Sequence, residues 1–228
     1  MWFGTHAGAS RYDGKSFTSF TEKDGSHGMG CNFLVDRKGN LWAGTNHGVF
    51  RFDGMSFVAF PLPKPEIDTM YYKWEIGKIW SLIQDKKGNW WFRRDGLGAC
   101  KFDGKTFTLF TQKDGLCSNN VSNIIEDQQG NIWFASLSSD FPTKRKTGGL
   151  SRFDGEQFTQ FRDIEGLNNS DIYTLFNDKK GQVWVGAIGL GAYRYDGQTF
   201  TLFKQTDRND LIKNFGIQSI SEDKQGTL

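Results

Sequence analysis

Short runs in which apolar and polar residues alternate, separated by tight glycine turns, occupy nearly the whole chain. The clearest stretch is Asp178 to Phe203, DKKGQVWVGAIGLGAYRYDGQTFTLF. It opens with a turn, continues as a short strand centred on Trp184, and turns again. A strand ending in Tyr193-Arg194-Tyr195 follows, then an Asp-Gly turn and a last strand, TFTLF. Alternation with period two sends successive side chains to opposite faces, so each run reads as a β-strand with a buried face. Asp-Gly between two such runs predicts a hairpin of type I′, with positive φ at both residues.

The stretch recurs. An apolar or aromatic residue followed by Trp occurs at Trp2, Trp42, Trp91, Trp133 and Trp184, and an Asp lies six residues before the last four, at Asp36, Asp85, Asp127 and Asp178. Between them the chain reads D-x-x-G-N/Q, a tight turn with Gly where positive φ is needed. After each Trp comes an aromatic-Asp-Gly triplet, at Tyr12-Asp13-Gly14, Phe52-Asp53-Gly54, Phe102-Asp103-Gly104, Phe153-Asp154-Gly155 and Tyr195-Asp196-Gly197. An F-x-x-F strand follows each triplet, from Phe17, Phe57, Phe107, Phe158 and Phe200. Another strand precedes each turn aspartate: FLVD, WSLIQD, VSNIIED, IYTLFND, and IQSISED ending at Asp223. Four strands in sequence make a unit of about 45 residues, the make-up of a propeller blade. They are the first strand (before the Asp), the second (with the Trp), the third (before Asp-Gly) and the fourth (F-x-x-F). An even meander without polar capping units favours a closed ring over a solenoid.

The chain opens in phase with the Trp of a second strand, and Asp223 to Leu228 stop just short of where another Trp would fall. The expectation is ring closure, with the C-terminal segment supplying the first strand of the blade begun by the N-terminus and covering both edges. The expected fold is all-β, a five-bladed β-propeller of four-stranded antiparallel blades in one domain, 1–228. Its composite blade is 216–228 plus 1–21, and the other blades fall at about 30–60, 78–111, 120–161 and 171–204.

The patterns D-x-x-G-N-hydrophobic-W-x-G-T and G-hydrophobic-x-R-aromatic-D-G resemble the two-component regulator propeller repeats. These are common in the extracytoplasmic sensor regions of bacterial hybrid histidine kinases, and the resemblance covers essentially the whole chain. It implies signal sensing, a periplasmic or extracytoplasmic place, and carbohydrate-derived signals. In that family the repeats usually build larger propellers, followed by a linker domain, a membrane helix and a kinase. Streptogramin-lyase-like propellers carry related repeats and are enzymes, so the resemblance leaves catalysis open.

Composition narrows the function classes. Lys and Arg number 28 against 26 Asp and Glu, mixed throughout for a net charge of +2, with no basic run to bind nucleic acid. No apolar stretch approaches the roughly 18 residues of a membrane span. Cys31, Cys100 and Cys117 are odd in number and widely spaced, which suits neither a disulfide framework nor a zinc site. Phe (21) and Trp (8) are abundant and Pro (4) is scarce, as in β-rich proteins. The histidines His6, His27 and His47 fall in connections of neighbouring blades without H-x-H or H-x-x-x-H pairing. The D-x-x-G turns lack the dense acidic spacing of calcium loops. No metal, cofactor or catalytic residue is assigned.

Spacing varies in two places only. One is the connection from second to third strand, longest between Trp133 and Asp154; the other leads from fourth strand to the next first strand, longest between Phe60 and Asp85. In an up-and-down blade both open on the same face. Binding groups sit on loops held by a rigid frame, so this is the expected functional face. The longest connection carries Tyr71, Tyr72 and Trp74, and Trp80 follows on the next first strand, at the position Tyr173 holds in its own blade. One residue further on stand Asn32, Ser81, Asn123, Thr174 and Ser219, a small polar set near the central channel if the first strand is innermost. Aromatic faces beside small polar groups suit sugar rings. The same aromatics also suit packing of the loop onto its own blade, or of blade on blade.

Arg93 and Arg94 stand near the end of a second strand where other blades keep Gly4, Gly44 and Gly186. Paired guanidiniums match a ligand carboxylate or sulfate; a salt bridge with Asp95 or a neighbouring acid is the plainer alternative. Lys144-Arg145-Lys146, in the longest second-to-third connection, reads as a solvated loop. The repeated Trp and Phe residues read as inter-blade packing. The functional reading is a non-catalytic propeller that binds an oligosaccharide or other small molecule through Tyr71, Tyr72, Trp74, Trp80, Arg93, Arg94, Asn32, Asn123 and Tyr173. A protein-interaction propeller with a partner on the same face is the alternative, and a lyase or hydrolase comes third.

Overall fold

A computed structural model of the chain describes residues 1–5, 8–26, 32–63, 78–79, 81–94, 96–138, 148–168, 170–188, 191–203 and 216–228. Five antiparallel sheets follow one another along it. Blade 1 holds β1 (Trp2–Thr5), β2 (Gly8–Tyr12) and β3 (Phe17–Phe20); blade 2 holds β4 (Asn32–Val35), β5 (Leu41–Thr45), β6 (Gly48–Phe52) and β7 (Phe57–Phe60). Blade 3 holds β8 (Leu82–Gln84), β9 (Trp90–Arg94), β10 (Gly98–Phe102) and β11 (Phe107–Phe110). Blade 4 holds β12 (Val121–Glu126), β13 (Ile132–Ser136), β14 (Gly149–Phe153) and β15 (Phe158–Gln160). Blade 5 holds β16 (Ile172–Asn177), β17 (Val183–Ala187), β18 (Gly191–Tyr195) and β19 (Phe200–Phe203). Each sheet is a meander in chain order, and the fold is a five-bladed β-propeller.

Neighbouring blades cover both faces of a middle strand, which is why such strands read as unbroken apolar runs. In β13 every residue is buried. Trp133 and Ala135 enter the core shared with blade 5, while Ile132 and Phe134 enter the core shared with blade 3. Every described junction repeats this division. The Trp and second F-x-x-F phenylalanine of one blade meet the aromatic before Asp-Gly and the first phenylalanine of the next. Trp2 and Phe20 thus meet Phe52 and Phe57, Trp91 and Phe110 meet Phe153 and Phe158, and Trp133 and Phe161 meet Tyr195 and Phe200. The basic residue of the third strand lies across the ladder from the Trp and caps its ring: Arg11 over Trp2 at 5.9 Å, Lys101 over Trp91 at 5.6 Å, Arg152 over Trp133 at 5.7 Å.

The turn aspartates explain the six-residue spacing. Their Oδ2 accepts from the indole Nε1 six residues on, at 2.9 Å for Asp36 and Trp42, 2.9 Å for Asp85 and Trp91, 2.8 Å for Asp127 and Trp133, and 2.9 Å for Asp178 and Trp184. The Asp-Gly turns differ from the expected type I′ arrangement. The Asp13 N–H donates to the Ser16 carbonyl at 3.2 Å, so Asp13 is the first corner and the central pair is Gly14, with φ 105°, and Lys15. At that corner Asp13 Oδ1 accepts from the N–H of Lys15 and Ser16, at 2.7 and 2.8 Å. A carboxylate bonding the backbone two residues on is what favours Asp in such turns.

At the constant end the blades are clasped. The basic residue after a turn Asp donates its N–H to a side chain of the next blade: Arg37 to Gln84 Oε1 at 3.1 Å, and Lys86 to Glu126 Oε2 at 2.8 Å. Its cation reaches a carbonyl there, Arg37 Nη1 to Lys86 at 2.5 Å and Lys86 Nζ to Asp127 at 2.8 Å. Lys179 makes the same clasp to the C-terminal segment, with its N–H on Glu222 Oε2 at 3.0 Å and Nζ on the Asp223 carbonyl at 2.5 Å. That segment also brings the Ile217 carbonyl against Gly186 as Ile79 comes against Gly44; a Cβ on either glycine would lie 2.6 or 2.7 Å from that oxygen. Residues 216–228 therefore stand beside blade 5 as a next first strand does. Among the described residues β1 pairs with β2 alone, so the first sheet has three strands.

Candidate functional site

First and second strands are antiparallel neighbours, so the start of one and the end of the other share the variable end. Asn32 faces Gly44 and Asn123 faces Ala135 across these ladders. The first strands lie side by side, β4 by β8, β8 by β12 and β12 by β16, which makes them the inner strands. Ser122 Oγ donates to the Ile172 carbonyl across one such gap.

Of the predicted site residues, Asn32 is exposed and Asn123 half-buried. Tyr173 is 37% exposed and sits at a register shift between Ile172 and Thr174, both buried. Ser122 holds the same place in β12, between Val121 and Asn123. A bulge leaves one residue out of the ladder and re-aims its side chain, and here it turns the Tyr173 ring outward. Tyr71, Tyr72, Trp74, Trp80, Asp95, His6, His27 and residues 144–146 lie outside the described residues.

Arg93 and Arg94 are adjacent on β9 and stand on opposite faces of the sheet. Arg93 Nε donates to the Val121 carbonyl of blade 4, at the joint where Gly44 and Gly186 admit the next blade's carbonyl. Arg94 shares its face with Phe92, in the core between blades 2 and 3 that also holds Cys100, and is 3% exposed. Burial pushes the Arg94 guanidinium pKa down and the Cys100 thiol up to about 11. Among the described residues nothing accepts from Arg94 Nε or Nη1. The two arginines thus part rather than grip one group. In sequence Arg93 falls where Gly4, Gly44 and Gly186 stand, two residues after the Trp. One position further the column is Thr5, Thr45, Arg94, Ser136 and Ala187, and that column carried the missed signal.

The His47 N–H donates to Thr45 Oγ1 at 3.0 Å, and Cys100 and Cys117 are buried free thiols. Among the described residues no three of His, Cys, Asp and Glu gather as metal ligands, and no helix is long and apolar enough to cross a membrane.

Residues 115–138 and 166–189 match the two-component regulator propeller family. The chain is similar to histidine kinase P4 of Formosa agariphila, 27% identical over 147 residues, which are 60% of this chain and 10% of that protein. The extracellular domain of a putative hybrid two-component system from B. thetaiotaomicron superimposes with a TM-score of 0.72 at 20% identity, covering 99% of this chain and 29% of that one. A virginiamycin B lyase from Staphylococcus aureus superimposes at 0.57 with 15% identity, over 78% of this chain and 56% of the lyase. At such identities the two structures share the fold. The chain spans a tenth of the kinase and under a third of the extracellular domain. The Asp-to-Trp spacing of the two matched segments recurs at Asp36 and Trp42 and at Asp85 and Trp91, so the other blades are similar to the segments that match the two-component regulator propeller family.

Proposed function

We propose that this propeller is the extracytoplasmic sensor module of a two-component system and binds an oligosaccharide or other small molecule, without chemistry, at the variable end. The carrying observation is the contrast between the two ends. At the constant end the turn aspartates commit their oxygens to backbone and indole N–H groups. At the other end the same strands bear residues that change from blade to blade, among them Asn32, Asn123 and the outward ring of Tyr173. An aromatic face and amide groups on neighbouring inner strands suit stacking and edge hydrogen bonds with a sugar. Tyr71, Tyr72, Trp74 and Trp80 are proposed as the aromatic wall of this face. The family of the repeats, the kinase that shares them and the extracellular domain that shares the fold support sensing.

Titration of neutral and acidic oligosaccharides against tryptophan emission tests the reading. Saturable changes are expected, weakened several-fold by Tyr173→Ala at unchanged Tm. Silence toward every sugar, with a partner protein shielding Tyr173 from chemical labelling, would replace ligand sensing by protein docking. Product appearing in the same mixtures would replace it by enzymatic turnover.

A further inference from the structure

Among the described residues four side chains of full charge are buried: Asp85, Asp127, Asp178 and Arg94. Each aspartate holds an indole N–H and a backbone N–H. Arg94 Nε and Nη1 hold nothing. An arginine does not shed its proton inside a protein, so its charge stays and calls for a counter-charge. Among the described residues the neighbours supply none: Gly98 stands across the ladder and Phe92 and Cys100 share the core. The scaffold has no need of a large residue here either, since the other blades place Thr5, Thr45, Ser136 and Ala187 at this position. Arg94 ends β9, so the guanidinium lies at the variable end of the joint between blades 2 and 3.

We infer that Arg94 is the floor of an oxyanion site at that joint, taking the carboxylate or sulfate of a ligand that enters from the variable end. This deepens the sensing reading and rests on it. At 3% exposure the guanidinium admits a small terminal group, not an extended face. Nε–H and Nη1–H lie on different edges of the planar fork, so a planar or tetrahedral oxyanion finds a donor whichever edge it approaches. Burial depresses the guanidinium pKa, and among the described residues the other group acting on it is the Cys100 thiol. Arg93 holds the Val121 carbonyl and plays no part.

The test measures binding of methyl glucuronide, methyl glucoside 6-sulfate and neutral methyl glucoside at equal ionic strength to the 228-residue chain, Arg94→Met and Arg94→Lys. The native chain should bind at least one acidic sugar tenfold or more tighter than the neutral one, and which acid wins separates carboxylate from sulfate. Arg94→Met, which buries no charge, should fold with a Tm no lower than the native chain and bind acidic and neutral sugars alike. Equal binding of all three sugars by the native chain, or an acidic preference that survives in Arg94→Met, overturns the inference while sensing stands. A sharp drop in Tm for Arg94→Met shows a partner within the chain and overturns it too. Where that variant fails to fold, Arg94→Lys decides by the same ratio: a preference kept in full counts against the site. Where no sugar binds, the sensing reading fails, and inorganic sulfate against chloride then tests Arg94 alone. Absence of a saturable, sulfate-specific rise in Tm ends the oxyanion site.

Discussion

Each Asp-Gly turn carries a carboxylate tied down by its own backbone. The N–H groups of Ser16 and Lys15 hold Asp13 below its ordinary 3.8, and those of Thr106 and Lys105 bring Asp103 to about 2. A carboxylate depressed in the folded state contributes stability that is complete above its unfolded pKa and lost as pH falls through the folded value. Urea midpoints should therefore carry these groups' full contribution without pH dependence near neutrality and drop as pH falls from near 3.8 to about 2, with Asp103→Asn flattening part of the fall. Trp133 is wholly buried and stacks on Phe161 at 5.1 Å. Trp133→Ala should cost roughly 3–5 kcal/mol in urea unfolding, and molecules that stay folded should keep their ligand. Loss of binding at unchanged stability would give this column a role beyond packing. The aromatic columns were legible because they repeat. The parting of Arg93 from Arg94 was not, because adjacent numbers say nothing about which neighbouring blade each face of β9 meets.

At the scale of elements, the clasp between successive blades leaves no mark in the sequence pattern. Arg37, Lys86 and Lys179 each follow a turn aspartate and look like solvated charges, yet each reaches the next blade's backbone. Lys86→Met removes the donor to the Asp127 and Gln128 carbonyls and should cost about 1 kcal/mol, the usual net worth of such a bond. Lys38→Met, in an exposed turn, should stay within about 0.5 kcal/mol in the same urea experiment. Equal effects of the two would show that the clasp adds nothing to stability. The bulges at Ser122 and Tyr173 belong to this scale too. The sequence placed both at one position of the first strand, but its strict alternation hid the residue that leaves the ladder.

For the whole molecule, the faces of the first and last blades stand out. Phe3 and Phe17 of blade 1 are 40% and 63% exposed, and Phe203 of blade 5 is 43% exposed, whereas Phe57, the counterpart of Phe17 in blade 2, is 5% exposed. These are the two halves of the joint that every other pair of neighbours makes. They are expected to cover one another on ring closure, with 216–228 between them. Removing Gln218 to Leu228 takes away the segment clasped by Lys179 and should turn monomer into larger species in light scattering, as unpaired edges seek partners. A truncated chain that stays monomeric at the same Tm counts against closure through this segment.

The sequence by itself determined the strands of the five sheets, their order and the end at which variation gathers, because alternation and turn chemistry are properties of neighbouring residues, while the strand it placed before Asp223 is not formed among the described residues. Tertiary structure alone decided that Arg93 ties two blades while Arg94 lies buried with Nε and Nη1 unpartnered among the described residues, that Tyr173 turns out of its ladder, and that Lys86 and Lys179, after their turn aspartates, bridge blades. Each of these depends on what a neighbouring strand or blade, distant in the chain, places against the residue, and no local pattern records that.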